Sequence, residues 1–134
     1  MLNETMIATA TSLIDGLLYL SESESEFDVF DLSGIVSEDA LKATLLHQKD
    51  LEENVEIESG DVNGFFIKLI QLADPNDDFM MEQASKFEVL QKFLKDNFQD
   101  IQLYRASKIQ VHIFITATNN DGDYLVLHTL SVET

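Results

Sequence analysis

The side chains in this sequence that are best suited to binding or catalysis are carboxylates. Many of them fall into three clusters without an intervening Lys or Arg. Closely spaced carboxylates attract basic partners and accelerate their association. A single cluster is most often a solvated face that maintains solubility, but three base-free clusters favour an electrostatic binding surface. The clusters comprise Glu22, Glu24, Glu26, Asp28 and Asp31, then Asp50, Glu52, Glu53, Glu56, Glu58 and Asp61, and then Asp74, Asp77, Asp78 and Glu82.

The first cluster contains an uninterrupted alternation of Ser and Glu over residues 21 to 26. If this run is extended, Glu22, Glu24 and Glu26 project on one side and the serines on the other. A phosphorylation patch on the serines is one alternative. A carboxylate pair for glycoside hydrolysis is another, but the chain has no Trp and only three Tyr to form sugar platforms. A small hydrolase is therefore the least favoured interpretation.

Other catalytic or metal-binding motifs are incomplete or absent. Residues 119 to 122 resemble part of a calcium loop, but Ala117 and His128 stand where further ligands are required. We expect His112 and His128 to form an ordinary cross-strand pair on the polar face of a hairpin. The sequence contains no nucleophile elbow, Gly-rich phosphate loop or His-Glu-x-x-His motif, and it has no cysteine. These features favour a protein that is not an enzyme.

The length and charge of the chain restrict its class further. With 134 residues, a single domain over 1–134 is expected. The sequence has 25 acidic and 8 basic residues, so that direct binding to nucleic acid or to an anionic membrane is excluded as a role. No apolar stretch approaches the ~20 residues that span a bilayer. The absence of cysteine and of a signal-peptide pattern predicts a cytoplasmic protein.

Periodicity predicts the elements that must position these residues. Apolar residues at intervals of three and four indicate helices over 3–16, 37–46, 61–70 and 78–98, with Ser37 and Asp61 as N-caps. Alternation indicates strands over 27–32, 54–58, 101–105, 109–116 and 124–132, the last two joined by a turn at 119–122. Helices and an antiparallel sheet without regular strand–helix alternation predict an α+β fold.

Several short motifs resemble one family in their order and spacing. They are Asp15-Gly16-Leu17-Leu18 leading into Ser21-Glu22-Ser23-Glu24, then Phe65-Phe66, Tyr104-Arg105 and the terminal Val132-Glu133-Thr134. Together with the length, they resemble the nuclease A inhibitors, intracellular proteins that block a sugar-non-specific DNA/RNA endonuclease. The resemblance implies a three-layer α/β/α sandwich with a mainly antiparallel sheet covered by helices.

The resemblance also implies a site and a partner. The inhibitor would fill the active site of the endonuclease, and Thr134 would reach the catalytic magnesium of that partner. Glu22 matches an interface acid, Asp74 falls where the family has another, and Glu24 belongs to the same acidic run as Glu22. Family inhibitors can carry a Trp after the second acid, where this chain has Pro75. We expect no cofactor of its own and a monomer when free; the alternative is an acidic adaptor for a basic partner that is not a nuclease.

Overall fold

The computed structural model describes residues 3–133, which form four α-helices and seven β-strands. The helices are α1 (Glu4–Ile14), α2 (Glu38–Gln48), α3 (Val62–Gln71) and α4 (Asp78–Asn97). The strands are β1 (Leu18–Leu20), β2 (Glu24–Glu26), β3 (Asp28–Leu32), β4 (Ile57–Gly60), β5 (Asp100–Ala106), β6 (Gln110–Thr118) and β7 (Tyr124–Val132). The expected α+β class is confirmed.

Five strands form one antiparallel sheet in the order β3-β7-β6-β5-β4, and β1 pairs with β2 in a separate hairpin. The long β6–β7 hairpin lies at the centre, with Phe114 opposite His128 and Ile115 opposite Leu127. Gly122 has a φ of +86° in the connecting turn, which explains why a glycine-containing turn occurs there. The alternating residues of the sequence therefore lie on the two faces of a central hairpin, and both faces are largely buried.

Two groups of buried apolar side chains lie on the sheet. Ile113 and Ile115 of β6 belong to a cluster with Phe66 of α3 and Phe87 of α4. Phe114, which lies between them in sequence, belongs to a second cluster with the buried leucines of α2. Because successive strand residues point to opposite faces, the helices supply apolar cover to both faces of β6. Complete burial of a side chain such as Phe114 contributes about 1.5–3 kcal/mol to folding.

The N-cap residues of α2, α3 and α4 lie directly before the first helical residue, and two of them accept hydrogen bonds from backbone N–H groups. Ser37 Oγ accepts a hydrogen bond from the Ala40 N–H at 3.1 Å, which confirms the predicted cap. Asp77 Oδ1 accepts from the Met80 N–H at 3.1 Å in the same way. Asp61 occupies the N-cap position of α3, as predicted, although its side chain makes no capping hydrogen bond.

Two predictions about short extended segments need correction. The Ser/Glu run is extended only over Glu24–Glu26, while residues 21–23 form the turn after β1. Glu22 therefore does not share a strand face with Glu24, because the chain reverses between them. The strand expected at 54–58 lies instead at Ile57–Gly60, where its partner β5 provides hydrogen bonds. Within residues 3–133, no helix combines the length and apolar character needed to cross a membrane.

Candidate functional site

The Ser/Glu run lies against the last part of β7 and is held there by serine hydroxyls. The Val132 N–H donates to Ser21 Oγ at 3.0 Å, and the Leu130 N–H donates to Ser25 Oγ at 3.2 Å. The neighbouring strand β3 pairs with β7 only from Tyr124 to His128, so backbone groups beyond that point need other partners. The serines supply those partners and fix the β1–β2 hairpin beside the end of the sheet.

Glu22 lies in the turn of this hairpin and is exposed. Its backbone N–H donates to the Val132 carbonyl oxygen at 3.4 Å, a second contact between the turn and β7. The preceding Ser21 makes the shorter contact with the same residue. These contacts place Glu22 directly beside the final residues that the structure describes.

Glu24 begins β2 and stands opposite Leu20 of β1. Glu24 and Glu26 are exposed, whereas Ser25 between them is half-buried against β7. For these three residues, the predicted separation of glutamates and serines onto two sides is therefore correct. The carboxylates of Glu24 and Glu26 therefore face water, while the Ser25 hydroxyl accepts a hydrogen bond from the backbone of β7.

Asp74 lies in the connection between α3 and α4 and is exposed. Its Oδ1 accepts from the Asn76 N–H at 2.9 Å, and its carbonyl oxygen accepts from the Asp77 N–H at 3.0 Å. The preceding residue, Ala73, lines a shallow surface pocket together with Leu20 of β1. The loop that carries Asp74 therefore lies beside the hairpin whose turn carries Glu22.

The end of the described chain is held by several contacts at Glu133. Its N–H donates to the Ile109 carbonyl oxygen at 2.9 Å. Its carboxylate accepts from Ser131 Oγ at 2.7 Å and forms an ion pair with Arg105. The Ser131 hydrogen bond, aided by Arg105 and opposed by partial burial, holds the pKa of Glu133 below its usual value. Thr134 lies outside the described residues, so its role stays a prediction.

We call the surface made by residues 20 to 24, 72 to 75 and 132 to 133 the acidic edge. Across residues 3–133, no Lys or Arg forms an ion pair with Glu24 or Asp74. The acidic edge also contains two exposed apolar side chains, Leu20 at 40% and Leu72 at 73%. Carboxylates beside exposed leucines are suited to a partner that presents both basic and apolar groups.

A polar network around the buried side chain of His128 lies on the face of the sheet that carries Phe114 and involves both predicted histidines. His128 Nε2 lies 2.8 Å from His112 Nδ1, and His128 Nδ1 lies 2.7 Å from Asp28 Oδ1. Lys49 Nζ completes the chain at 2.6 Å from Asp28 Oδ2. The histidine contact is confirmed, but His128 is only 5% exposed and shares its face with Phe114, so the expectation of a polar face is wrong.

Burial and neighbouring groups shift the pKa values of two members of this network. Burial, followed by the neighbouring His128, lowers the pKa of His112, which favours its neutral form. Burial raises the pKa of Asp28, but the hydrogen bonds from His128 and Lys49 outweigh that effect and lower it. Within the part of the chain that the structure describes, no three His, Asp or Glu side chains gather to hold a metal ion. Sequence reasoning placed Asp28 only in the first acidic cluster and did not connect it or Lys49 with the histidines, because these residues are distant along the chain.

The fold is that of a small acidic α+β protein that exposes carboxylates along the acidic edge. The family model for nuclease A inhibitor-like protein matches residues 4–134, and the chain belongs to that family. The resemblance found in the sequence is therefore confirmed over nearly the whole chain. No curated protein matches the chain.

Proposed function

We propose that this protein inhibits a sugar-non-specific DNA/RNA endonuclease by covering its active site with the acidic edge. Glu22, Glu24 and Asp74 contact basic groups around the active site, and Thr134 contacts the catalytic magnesium of the nuclease. Membership of an inhibitor family supports the general role. The observation that carries the proposal is the pair of contacts from Ser21 and Glu22 to Val132, which joins the candidate acid to the C-terminal end.

The chemistry at the C-terminus suits a magnesium centre in a partner. Mg²⁺ prefers oxygen ligands and takes one or two carboxylates alongside water and phosphate. Thr134 carries a hydroxyl and the terminal carboxylate, so its oxygens can replace those of a scissile phosphate. A formal net charge of −17 adds attraction toward a basic nuclease before contact is made.

We further propose that the protein, when free of its partner, is a cytoplasmic monomer. It has no cofactor of its own and does not bind nucleic acid. The apolar clusters on the two faces of β6 support the three-layer α/β/α arrangement that the family resemblance implies.

The first experiment removes or blocks the C-terminus. Deletion of Thr134, or addition of a C-terminal tag, should greatly weaken inhibition, because only a free terminal residue can enter a narrow metal site end-on. The melting temperature should change little, because strand ends carry few buried contacts. Nuclease activity is measured at fixed magnesium with each form, and the same tag at the N-terminus is the control. Equal inhibition by the C-terminally tagged and native forms would exclude the magnesium contact.

The second experiment compares two glutamates of the same run. Glu22→Gln should weaken inhibition by about 2–5 kcal/mol, the usual cost of breaking one side of a charge pair that becomes buried on binding. Glu26→Gln is the matched control and should cost less than ~1 kcal/mol, because an exposed pair contributes little. Identical inhibition constants for the two variants would remove Glu22 from the interface.

A further inference from the structure

Arg105 and Ser131 both contact the carboxylate of Glu133 at one end of the sheet. Arg105 of β5 lies opposite Ile113 of β6, and Ile113 lies opposite Thr129 of β7. Opposed residues share a face of the sheet, and so do alternate residues along a strand. Ser131 therefore lies on the same face as Arg105. The guanidinium crosses the width of β6 to reach the Glu133 carboxylate at the end of β7.

Several specific contacts hold Glu133, and such contacts are what orders a chain end. Ser131, which is 1% exposed, offers its hydroxyl to the Glu133 carboxylate from a fixed, buried position. Arg105 holds the same carboxylate from a second strand, and Ile109, which directly precedes β6, holds the Glu133 backbone. Three different positions in the sheet thus define where Glu133 lies.

We propose that Arg105, Ser131 and Glu133 form a terminal clamp that positions Thr134 for its contact with the nuclease. This inference rests on the proposed function. Arg105 and Ser131 act through Glu133 and are positioning residues, which do not themselves touch the magnesium. Because Glu133 is already fixed in the free protein, less conformational entropy of the chain end has to be lost when Thr134 enters the metal site.

The size of the effect follows from the entropy of ordering one residue. Release of the clamp should weaken binding about 5- to 30-fold, the factor that corresponds to fixing the backbone of one residue. Arg105→Gln is the test variant because it keeps most of the side-chain volume and removes the charge. Lys108→Gln is the matched control, since Lys108 lines the same surface pocket as Arg105 and Glu133 but forms no ion pair within residues 3–133.

The test is a double-mutant cycle in which nuclease binding is measured by surface plasmon resonance. Arg105→Gln should weaken binding of the full-length chain by the stated factor and have no further effect once Thr134 is deleted. Lys108→Gln should change binding equally in the two backgrounds. An equal loss from Arg105→Gln in both backgrounds would overturn the inference, because it would show a direct contact with the nuclease or a loss of stability.

A second readout needs no nuclease and separates the two proposals. The ¹H–¹⁵N heteronuclear NOE of the Glu133 amide should fall in Arg105→Gln and stay unchanged in Lys108→Gln. An unchanged NOE in Arg105→Gln would overturn the clamp even where inhibition by the native chain upholds the proposed function. Failure of the native chain to inhibit would refute the proposed function, and with it the role of the clamp in inhibition.

Discussion

The hydroxyl oxygens of Ser21 and Ser25 accept similar hydrogen bonds from the backbone of β7. We expect Ser25→Ala to lower the stability more and Ser21→Ala to weaken inhibition more. Ser25→Ala leaves the part-buried N–H of Leu130 without its 3.2 Å acceptor. An unsatisfied buried donor costs about 1–3 kcal/mol of unfolding free energy. Ser21→Ala removes a 3.0 Å acceptor from Val132 at an exposed position, where water can replace it. The loss of stability there should be below about 1 kcal/mol.

For inhibition, we expect the opposite ranking of the two variants, with the larger effect from Ser21→Ala. Ser21 holds the turn that carries Glu22, and a second hydrogen bond of that turn with Val132, from the Glu22 N–H, is a long 3.4 Å. Loss of the shorter bond therefore frees the turn from the C-terminal strand. A hydrogen bond of ordinary net strength corresponds to about a 3- to 10-fold increase in the inhibition constant. Ser25→Ala should change the inhibition constant less, because Ser25 lies further from the turn.

Urea unfolding followed by circular dichroism gives the stability of each variant, and nuclease inhibition gives its function. Both measurements are made on the same preparations of the native chain, Ser21→Ala and Ser25→Ala. The reasoning is refuted if Ser21→Ala lowers the free energy of unfolding as much as Ser25→Ala. It is also refuted if the two variants have the same inhibition constant.

Three further predictions concern stability away from the acidic edge. Asp28→Ala should cost about 1–3 kcal/mol in urea unfolding at neutral pH, because it removes the acceptor of the buried His128 Nδ1–H; no change would exclude a structural role for the network. The lowered pKa of His112 means that the folded chain binds fewer protons than the unfolded chain, so stability should fall as the pH drops below the ordinary value of 6.5; in urea unfolding at successive pH values, His112→Gln should make this fall smaller. Gly122→Ala should destabilise more than Gly34→Ala in thermal melts, because both have positive φ but only at Gly122 would a Cβ meet a backbone oxygen, at 3.3 Å; equal melting temperatures would contradict this.

The sequence by itself determined the long elements. The apolar period of α4 spans Asp78–Asn97 and differs from the predicted range by one residue at its C-terminal end. The alternation along β6 and β7 and the turn at Gly122 predicted the central hairpin. These features are local, because a repeat of several turns or several residue pairs is visible in the sequence before any partner is known.

The tertiary structure decided where the candidate residues meet. The three-residue strands Leu18–Leu20 and Glu24–Glu26 are too short to show a period, so the turn that carries Glu22 was not predicted. Val132 reaches Ser21 and Arg105 reaches Glu133 only because strand order places the hairpin and β5 near the end of β7. Strand order follows from how the whole chain buries its apolar faces, and no short stretch of sequence specifies it.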